Sequence, residues 1–549
     1  MSAARNVIAL AATLVLATAC TASPTAAMPR TAPTPATQHP VQLFEVSLDT
    51  KVPGPVSGRL LVVTMPWADA NRNGKTPSML AAAPDDPIAA QELDYLASGG
   101  STYIDADAKA YPAPLSKAPP GDYAVQAILD VNHDYAYGGP GPGDIVSPVY
   151  RVHLPGGIPQ LVLDAVTPQP VATERPLQQS ADAAAKSDAF EKHLDDIDFV
   201  SPALSAFWGR PMHIRAWVLT PPGYETSKET YPAVYRAEGF GGTHARARRP
   251  ALNHWNMMLS GETPPMIRVF LDHSTPWGTT EFADSVNNGP WGKALTEELI
   301  PYLESKYRMD AKPSGRFVTG HSSGGWFAMW QQVRYPKVYG GTWARAPDPV
   351  DFHSFTGIDI YRPGANAYTR PDGSSQYLMR NAKGEEIVSF RQYSQREEVE
   401  GDYGGQIDSF DWVFSPRADD GRPQPLFDRH TGVIDPSVAA YWRENYDIAA
   451  IIQRDWKTLK PDLDGKIHLI VGTVDTFHLN EAAELLQHEL DDLGAKSSFT
   501  FMPGRTHGTL DRIGCDPQGL EKKIAWEMWA MARPGSKLAP KPAPKCAAN

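Results

Sequence analysis

Two patterns of hydrophobic and polar positions divide the chain. From residue 41 to residue 165, short runs rich in β-branched and aromatic residues are separated by Gly, Pro, Asn and Asp, which is typical of strands and turns. The runs predict strands at Leu43–Leu48, Gly58–Met65, Gly121–Val131, Val149–Leu154 and Gln160–Leu163. Short strands joined by turns predict an all-β, sandwich-like domain over residues 41–165.

After Met212 the pattern changes to strands that alternate with amphipathic helices. Strands are predicted at Ile214–Leu219, Ala233–Ala237, Ile267–Leu271, Arg316–Thr319, Gly341–Ala344, Lys466–Val471 and Ser498–Phe501, and helices at Ala294–Tyr307, Asn480–Leu493 and Gly519–Ala532. This alternation predicts an α/β domain with a mostly parallel sheet. A polar, Ala-rich segment at 166–204 is expected to link the two domains, with one helix near Ala181–Leu194.

The strongest chemical signal is Gly-His-Ser-Ser-Gly at residues 320–324, between a predicted strand and a helix. A serine on a tight strand-to-helix turn needs glycines on both sides, because the turn is strained and closely packed. The pattern alone arises by chance roughly 0.2 times in a chain of this size and composition, so the strand and the helix carry the argument. Ser322 is therefore predicted to be a nucleophile, and a purely structural turn is the alternative.

A serine hydroxyl needs an imidazole to take its proton and an acid to orient that imidazole. Asp475 and His507 each follow a predicted strand, at the edge of the sheet where active sites of such folds lie. The chain order Ser322, Asp475, His507 is that of an α/β-hydrolase triad.

Each partner of the serine has an alternative. Asp348 follows another predicted strand and is a second candidate for the acid. His321 and His478 are less favoured as the base, because the first is adjacent to the nucleophile and the second suits a loop or a helix start.

The oxyanion of an acyl-transfer intermediate needs two preorganised N–H donors. The amide of Ser323, which follows the nucleophile, is one candidate. The Gly-rich loop after the strand Ala233–Ala237 offers the N–H of Phe240 as the other. A glycine-rich turn without a ligand is the alternative for this loop.

Six short segments within residues 205–533 are arranged in a recognisable order: Pro221-Pro-Gly-Tyr224, Tyr231-Pro-Ala-Val-Tyr235, Asn288-Gly-Pro290, Glu297-Glu-Leu-Ile-Pro301, Gly320-His-Ser-Ser-Gly-Gly325 and Tyr335-Pro336. This region resembles the esterase D and enterochelin-esterase family of α/β-hydrolases. The resemblance implies that fold, and it places the family's nucleophile, acid and base on Ser322, Asp475 and His507. Many members have His-Gly where this chain has Glu238-Gly239, so Glu238 is a candidate determinant of substrate preference.

An insert of almost a hundred residues, at about 348–446, lies where such hydrolases often carry a lid. Its many aromatic residues either stack on sugar rings or aromatic acyl groups, or form a small core of the insert itself. Trp277 lies beyond a predicted strand end and is a candidate for substrate binding, as is Asp348 at the start of the insert.

The two ends of the chain indicate export. Residues 1–19 are typical of a secretory signal, and Cys20 resembles the lipid-bearing cysteine of a bacterial lipoprotein; a plain cleavable signal is the alternative. A Pro-rich tether (20–40) precedes the domains and a Pro-rich tail (534–549) follows them.

Cys515 and Cys546 are an even pair that either forms a disulfide or remains as free thiols. We expect a periplasmic or cell-envelope lipoprotein, in the outer membrane if the host is Gram-negative.

Composition narrows the function further. With 51 Lys plus Arg against 63 Asp plus Glu, the net charge of −12 argues against a nucleic-acid partner. No Cys-x-x-Cys or His-Glu-x-x-His occurs, and the Asp130-x-Asn132-x-Asp134 stretch reads as a turn, so no metal and no cofactor are predicted. The sequence predicts a serine esterase acting on a small-molecule or glycan-linked ester. The alternatives are an acyltransferase with the same triad and a non-catalytic glycan-binding lipoprotein.

Overall fold

A computed structural model describes residues 41–73, 85–168 and 188–542, which belong to one compact unit. The predicted signal, the tether and Cys20 lie outside the described residues, as does Cys546 in the tail. Cys515 is disulfide-bonded, and its predicted partner, Cys546, falls in the part that is not described. No helix among the described residues has both the length and the apolar character needed to cross a membrane.

Residues 41–73 and 85–168 form two packed β-sheets. The smaller sheet has the strand order Ser101–Asp105, Leu43–Leu48, Gln160–Leu163. The larger has the order Ala165–Val166, Ile145–Val146, Gly121–Asp130, Val56–Pro66, Ile88–Leu96, Ala110–Tyr111, with Tyr150–Leu154 also paired to Gly121–Asp130. Alternate side chains of Leu43–Leu48 are buried between the sheets, because successive residues of a strand face opposite sides. The predicted sandwich-like β-fold of this region is confirmed, whereas its bounds as a separate domain stay a prediction.

Five strands in the described part of this domain were not predicted: Ile88–Leu96, Ser101–Asp105 and the two-residue strands Ala110–Tyr111, Ile145–Val146 and Ala165–Val166. Polar residues such as Gln91, Glu92 and Asp94 interrupt the first one, so its apolar alternation is weak in the sequence. It forms because it pairs along its length with Val56–Pro66, whose residues are mostly buried.

The second domain is built on a sheet of eight strands. Across the sheet they lie in the order Leu194–Val200, His213–Leu219, Ile267–Leu271, Ala233–Ala237, Arg316–Ser322, Gly341–Pro347, Ile467–Gly472 and Ser497–Met502. The first two pairings are antiparallel and the others are parallel. Numbered along the chain, this order is 1-2-4-3-5-6-7-8, which is the topology of the α/β-hydrolase fold.

Helices flank this sheet and build the insert, two short helices (Trp67–Asn73 and Tyr135–Gly138) belong to the sandwich-like region, and residues 188–193 are also helical. The α-helices are Trp67–Asn73, Tyr135–Gly138, Pro202–Trp208, His244–Leu259, Trp291–Lys293, Ile300–Lys306, Ser323–Arg334, Phe390–Glu400, Gln406–Phe414, Pro436–Asn445, Ile448–Leu463, Leu479–Asp492 and Gly519–Ala532. A π-helical segment, Ala294–Leu299, joins two of them, so the predicted helix Ala294–Tyr307 is part of a longer helical run. The predicted helix Gly519–Ala532 is confirmed residue for residue.

The segment 166–204 is not a linker throughout. Leu194–Val200 pairs with His213–Leu219 as the edge strand of the large sheet, and Pro202–Trp208 is a helix capped by Ser201. This strand could not be recognised from the sequence, because acidic residues occupy its exposed positions and only Leu194 and Ile197 are buried. Of the predicted helix Ala181–Leu194, residues 188–193 are helical and the earlier ones lie outside the described residues.

The insert 348–446 contains a hairpin, Tyr377–Arg380 with Glu386–Ser389, and three of the helices. Most of its large aromatic side chains are buried together, including Tyr368, Phe414, Phe427 and Trp442. Of the two interpretations of these rings, the structure favours a packing role for this group, but the core is not the insert's own: it is continuous with that of the hydrolase domain, where Phe414 contacts Trp326 with 4.9 Å between ring centroids. Tyr361, Tyr393, Tyr403 and Trp412 remain partly exposed.

Candidate active site

Ser322 occupies a strained turn between the strand Arg316–Ser322 and the helix that starts at Ser323. Its backbone has φ 60° and ψ −125°, a conformation that residues other than glycine seldom adopt. A Cβ atom at Gly320 would lie 2.0 Å from the Gly324 carbonyl oxygen, and one at Gly324 would lie 2.1 Å from that of Ala237. The two glycines are therefore required by close backbone packing around the serine.

His507 and Asp475 form a hydrogen-bonded pair at the carboxyl end of the sheet. Nδ1 of His507 is 2.9 Å from Oδ2 of Asp475, whose side chain is fully buried. The other carboxylate oxygen of Asp475 accepts the Phe477 N–H at 2.9 Å. Since Nδ1 is engaged by the acid, Nε2 is the nitrogen of His507 that is left for proton transfer.

The two alternative bases have other partners. His321 Nε2 lies 3.1 Å from the carbonyl oxygen of His507, and the two rings are 4.3 Å apart between centroids. Burial, together with the nearby His507 and Arg345 charges, holds the pKa of His321 well below its usual value. His478 contacts Glu481 at 3.1 Å and occupies the N-cap of the helix Leu479–Asp492. Among the described residues, neither of these two imidazole rings is hydrogen-bonded to the Asp475 carboxylate.

Asp348 contacts Ser322 rather than His507. The Ser322 hydroxyl donates to Oδ1 of Asp348 at 3.2 Å, and the Ser323 hydroxyl donates to Oδ2 at 2.7 Å. Within the described residues, no hydrogen bond joins Ser322 to His507. Burial raises the pKa of Asp348 to about 6, although the hydrogen bonds from both serines and the nearby His507 lower it. The structure thus shows a resting arrangement in which the serine hydroxyl is held by a second acid.

The predicted oxyanion loop passes directly against the serine. A Cβ atom on Gly239 would lie 2.9 Å from Cβ of Ser322. The N–H of Phe240 has no hydrogen-bond acceptor within the part of the chain that the structure describes. The N–H of Ser323 belongs to the first turn of its helix, where amides have no intrahelical acceptor. Both predicted donors are therefore without an acceptor among the described residues, in segments that adjoin Ser322.

Glu238 belongs to an ion-pair network. Its carboxylate is 2.7 Å from Nε of Arg236, and Arg236 also contacts Glu521, which in turn contacts Arg345 at 2.6 Å. Burial favours the protonated form of Glu238, but the Arg236 and Arg345 charges outweigh it and hold the pKa below its usual value. The Glu238 side chain is about a quarter exposed (26%), and its carboxylate balances the charge of the buried Arg236.

Trp277 lies in the middle of a stack of three indole rings. Its ring centroid is 4.6 Å from that of Trp208 and 5.4 Å from that of Trp412 in the insert. Trp277, Trp412 and Tyr403 also line a cavity of about 550 Å³. The Trp277 ring thus contacts both the hydrolase domain and the insert, and it borders this cavity.

A family model described as "Putative esterase" matches residues 205–489, more than half of the 549 residues. The chain belongs to this esterase family. The match contains Ser322, Asp348 and Asp475, and it ends before His507.

Individual relatives match over shorter stretches. Esterase Rv1288 of Mycobacterium tuberculosis is 32% identical over 130 residues, which are 24% of this chain and 27% of the relative. The uncharacterized protein YbbA of Bacillus subtilis is 27% identical over 135 residues, 22% of this chain and 51% of the relative. The chain thus spans between a quarter and about half of the length of these curated relatives.

Solved esterase structures resemble this member of the family at low identity. A ferulic acid esterase matches with 14% identity and a TM-score of 0.36, covering 62% of this chain and 98% of that one. The S-formylglutathione hydrolase of Agrobacterium tumefaciens matches with 15% identity and a TM-score of 0.34, covering 63% and 95%.

One ionisable group beside the site was not found from the sequence. Glu281 is completely buried, has φ 49°, and neither carboxyl oxygen has a hydrogen-bond partner among the described residues. Burial raises the pKa of Glu281 well above its usual value, and the nearby Asp348 charge adds to the shift. Glu281 lies in no recognisable motif, so only the fold reveals that it is enclosed.

We expect Glu281→Gln to stabilise the protein, and more so as the pH rises. In the unfolded chain Glu281 ionises above pH 4 to 5, whereas the folded protein keeps the proton because of the raised pKa. The folded state then binds one proton more, so the wild type loses roughly 1.4 kcal/mol of unfolding free energy per pH unit in that range. Glutamine has no such loss. Chemical denaturation of both proteins at pH 6, 7, 8 and 9 measures the difference.

Glu304→Gln is the control for this experiment. Glu304 is also shielded from solvent, but its carboxylate is paired with Arg316 at 2.6 Å, so its replacement is expected to destabilise. A constant stability difference between Glu281→Gln and the wild type from pH 6 to pH 9 would show that Glu281 is ionised in the folded protein.

Proposed function

We propose that this protein is a serine carboxylic-ester hydrolase in which Ser322, His507 and Asp475 act as the triad. The observation that carries the proposal is the convergence of the strained Ser322 turn and the Asp475–His507 pair at one end of the sheet, in a chain of the esterase family. The reaction passes through an acyl-enzyme on Ser322.

The geometry suggests how each group acts. His507 Nε2 accepts the Ser322 proton while the serine oxygen attacks the ester carbonyl, and Asp475 stabilises the imidazolium that forms. The amides of Phe240 and Ser323 bind the oxyanion. His507 then gives the proton to the leaving alcohol, and a water molecule releases the acid by the same steps in reverse order.

The resting contact of Ser322 with Asp348 adds one step before the attack. The hydroxyl has to leave the Asp348 carboxylate and turn towards His507, because a hydroxyl proton can be donated to one acceptor at a time. We propose that substrate entry drives this rotation. The Asp348 charge then remains close to the imidazolium and favours it.

Hydrolysis of p-nitrophenyl acyl esters and methyl ferulate by purified residues 21–549 tests the proposal. Turnover with saturation kinetics, together with labelling by a fluorophosphonate probe, is expected. Labelling without turnover on the panel would mean a substrate outside it, and products that carry an added sugar acceptor would identify an acyltransferase. Neither turnover nor labelling by the folded protein would contradict the proposal and favour the glycan-binding lipoprotein.

We also propose that the protein is exported and attached to the cell envelope through Cys20, on the strength of the N-terminal sequence. The substrate is then an ester available outside the cytoplasm, either a small molecule or a glycan-linked one. The proposal is tested by metabolic labelling with radioactive palmitate, which should enter the wild type and be absent from Cys20→Ser.

A further inference from the structure

The sandwich-like domain reaches into the candidate active site through one side chain. Tyr137 lies in the short helix Tyr135–Gly138 and is 4% exposed. Its hydroxyl donates to the carbonyl oxygen of Gly242 at 2.7 Å. Its ring packs edge-on against the ring of Phe240, with 4.8 Å between centroids. Both contacts fall on the loop that carries the predicted oxyanion donor.

An arginine fixes the same loop to the same helix. Arg246 donates from Nη1 to the Gly241 carbonyl oxygen at 2.6 Å and from Nη2 to the Gly138 carbonyl oxygen at 3.0 Å. Gly241 has φ +79°, and a Cβ atom there would lie 3.3 Å from the Tyr137 carbonyl oxygen. The sandwich-like domain thus touches the oxyanion loop at three successive residues.

The turn that presents Tyr137 is itself firmly held. The carboxylate of Asp130 accepts the N–H groups of Asp134 and Tyr135 at 3.1 and 3.0 Å. That of Asp144 accepts the N–H groups of Val131 and Gly141 at 3.0 and 2.6 Å. The position of Tyr137 is therefore fixed by a turn that side-chain to backbone hydrogen bonds stabilise.

The oxyanion loop needs such external support. Three of its four residues from 239 to 242 are glycines, and glycine backbones are conformationally free unless they are held. An oxyanion donor contributes to the rate only when it is already aimed at the developing charge. A small misplacement of the Phe240 amide would lower the rate without weakening the binding of the ground-state substrate.

We propose that Tyr137 is a positioning residue for the oxyanion hole, so that the sandwich-like domain completes the active site of the hydrolase domain. This inference rests on the proposed function, since it assigns the Phe240 amide to an ester-derived oxyanion. Tyr137 acts through the loop and does not touch the reacting atoms.

The test compares two tyrosines of the same domain. Tyr137→Phe keeps the ring and removes the hydroxyl donor to Gly242. Tyr123→Phe is the matched control: its hydroxyl also donates to a backbone carbonyl, that of Pro119 at 2.9 Å, and it is similarly buried at 6% exposure. For each variant we would measure kcat, KM, thermal stability and inhibition by a trifluoromethyl ketone, whose tetrahedral adduct carries the oxyanion.

We expect Tyr137→Phe to lower kcat by about tenfold, less than the 10²- to 10³-fold that follows the loss of a donor itself. KM should stay within about twofold, and inhibition by the ketone should weaken by the same factor as kcat/KM falls. Tyr123→Phe should keep wild-type kinetics even if its stability falls equally. Arg246→Ala, at an exposed position, should repeat the effect and replaces Tyr137→Phe if that variant does not fold.

Three results would overturn the inference. The first is wild-type kcat in Tyr137→Phe and Arg246→Ala. The second is a loss of kcat with unchanged inhibition by the ketone, and the third is an equal loss of kcat in Tyr123→Phe. If the wild type itself neither turns over esters nor reacts with the fluorophosphonate, the proposed function fails and the inference fails with it. Failure of the inference alone is recognised by an active wild type together with one of the three results above.

Discussion

Ser322→Ala is expected to lower kcat by about 10⁶-fold, the loss found when the serine of such a triad is removed. Without the hydroxyl, neither His507 nor Asp348 has an oxygen to activate, and no acyl-enzyme can form. The side chain is buried, at 7% exposure, and its hydroxyl has a single hydrogen bond among the described residues, so the substitution leaves little structural damage. Stopped assays with the best ester from the panel, and loss of fluorophosphonate labelling, measure the effect.

Ser323→Ala is the matched control. Ser323 is the next residue, is fully buried, and donates its hydroxyl to the same Asp348 carboxylate, but its predicted contribution to the reaction is its backbone N–H, which alanine retains. We expect it to keep at least about a tenth of the wild-type kcat. More than about 1% activity in Ser322→Ala, or an equal loss in both variants, would remove Ser322 from the nucleophile position.

The regular part of the fold was predictable because it is encoded locally. The buried strands Ala233–Ala237 and Ile267–Leu271 are short apolar runs between polar turns, and the structure has them at the predicted residues. The helix Gly519–Ala532 was found in the same way. By contrast, the acidic edge strand Leu194–Val200 depends on its partner, His213–Leu219, which a local pattern does not reveal.

In the candidate site, too, locally encoded features could be predicted and features that depend on distant contacts could not. The sequence could predict that Ser322, Asp475 and His507 lie at one edge of the sheet, because each stands at or just after the carboxyl end of a strand and the ends of parallel strands meet there. Their roles in catalysis stay a prediction. Which acid bonds which partner depends on side-chain geometry, so the sequence left Asp348 open as a candidate for the acid. Tyr137 was invisible for a further reason: more than a hundred residues separate it from the loop it contacts, and nothing in its turn signals chemistry.

Asp475→Asn is expected to cause the second large loss of kcat, and it tests whether Asp475 or Asp348 is the acid of the triad. Asp475 accepts the Nδ1 proton of His507 with one oxygen and the N–H of Phe477 with the other. An asparagine there satisfies Phe477 with its only oxygen and turns its NH₂ group towards His507. The imidazole then carries its proton on Nε2, where it cannot accept one from Ser322, and kcat should fall about 10⁴-fold.

Asp348→Asn makes the same chemical change at the other acid and should lower kcat by no more than about tenfold. Asp348 bonds the hydroxyls of Ser322 and Ser323, and with its pKa raised by burial to about 6 it is already partly protonated in mildly acidic solution. The neutral amide resembles that protonated form, so the deficit should vanish below pH 6 and grow towards pH 8, where the wild type has the ionised carboxylate near His507. Profiles of kcat against pH for both variants decide which aspartate is the acid of the triad. Only the loss of the acid that holds the histidine tautomer can lower kcat by about four orders of magnitude. A greater loss of kcat in Asp348→Asn than in Asp475→Asn would therefore assign that role to Asp348.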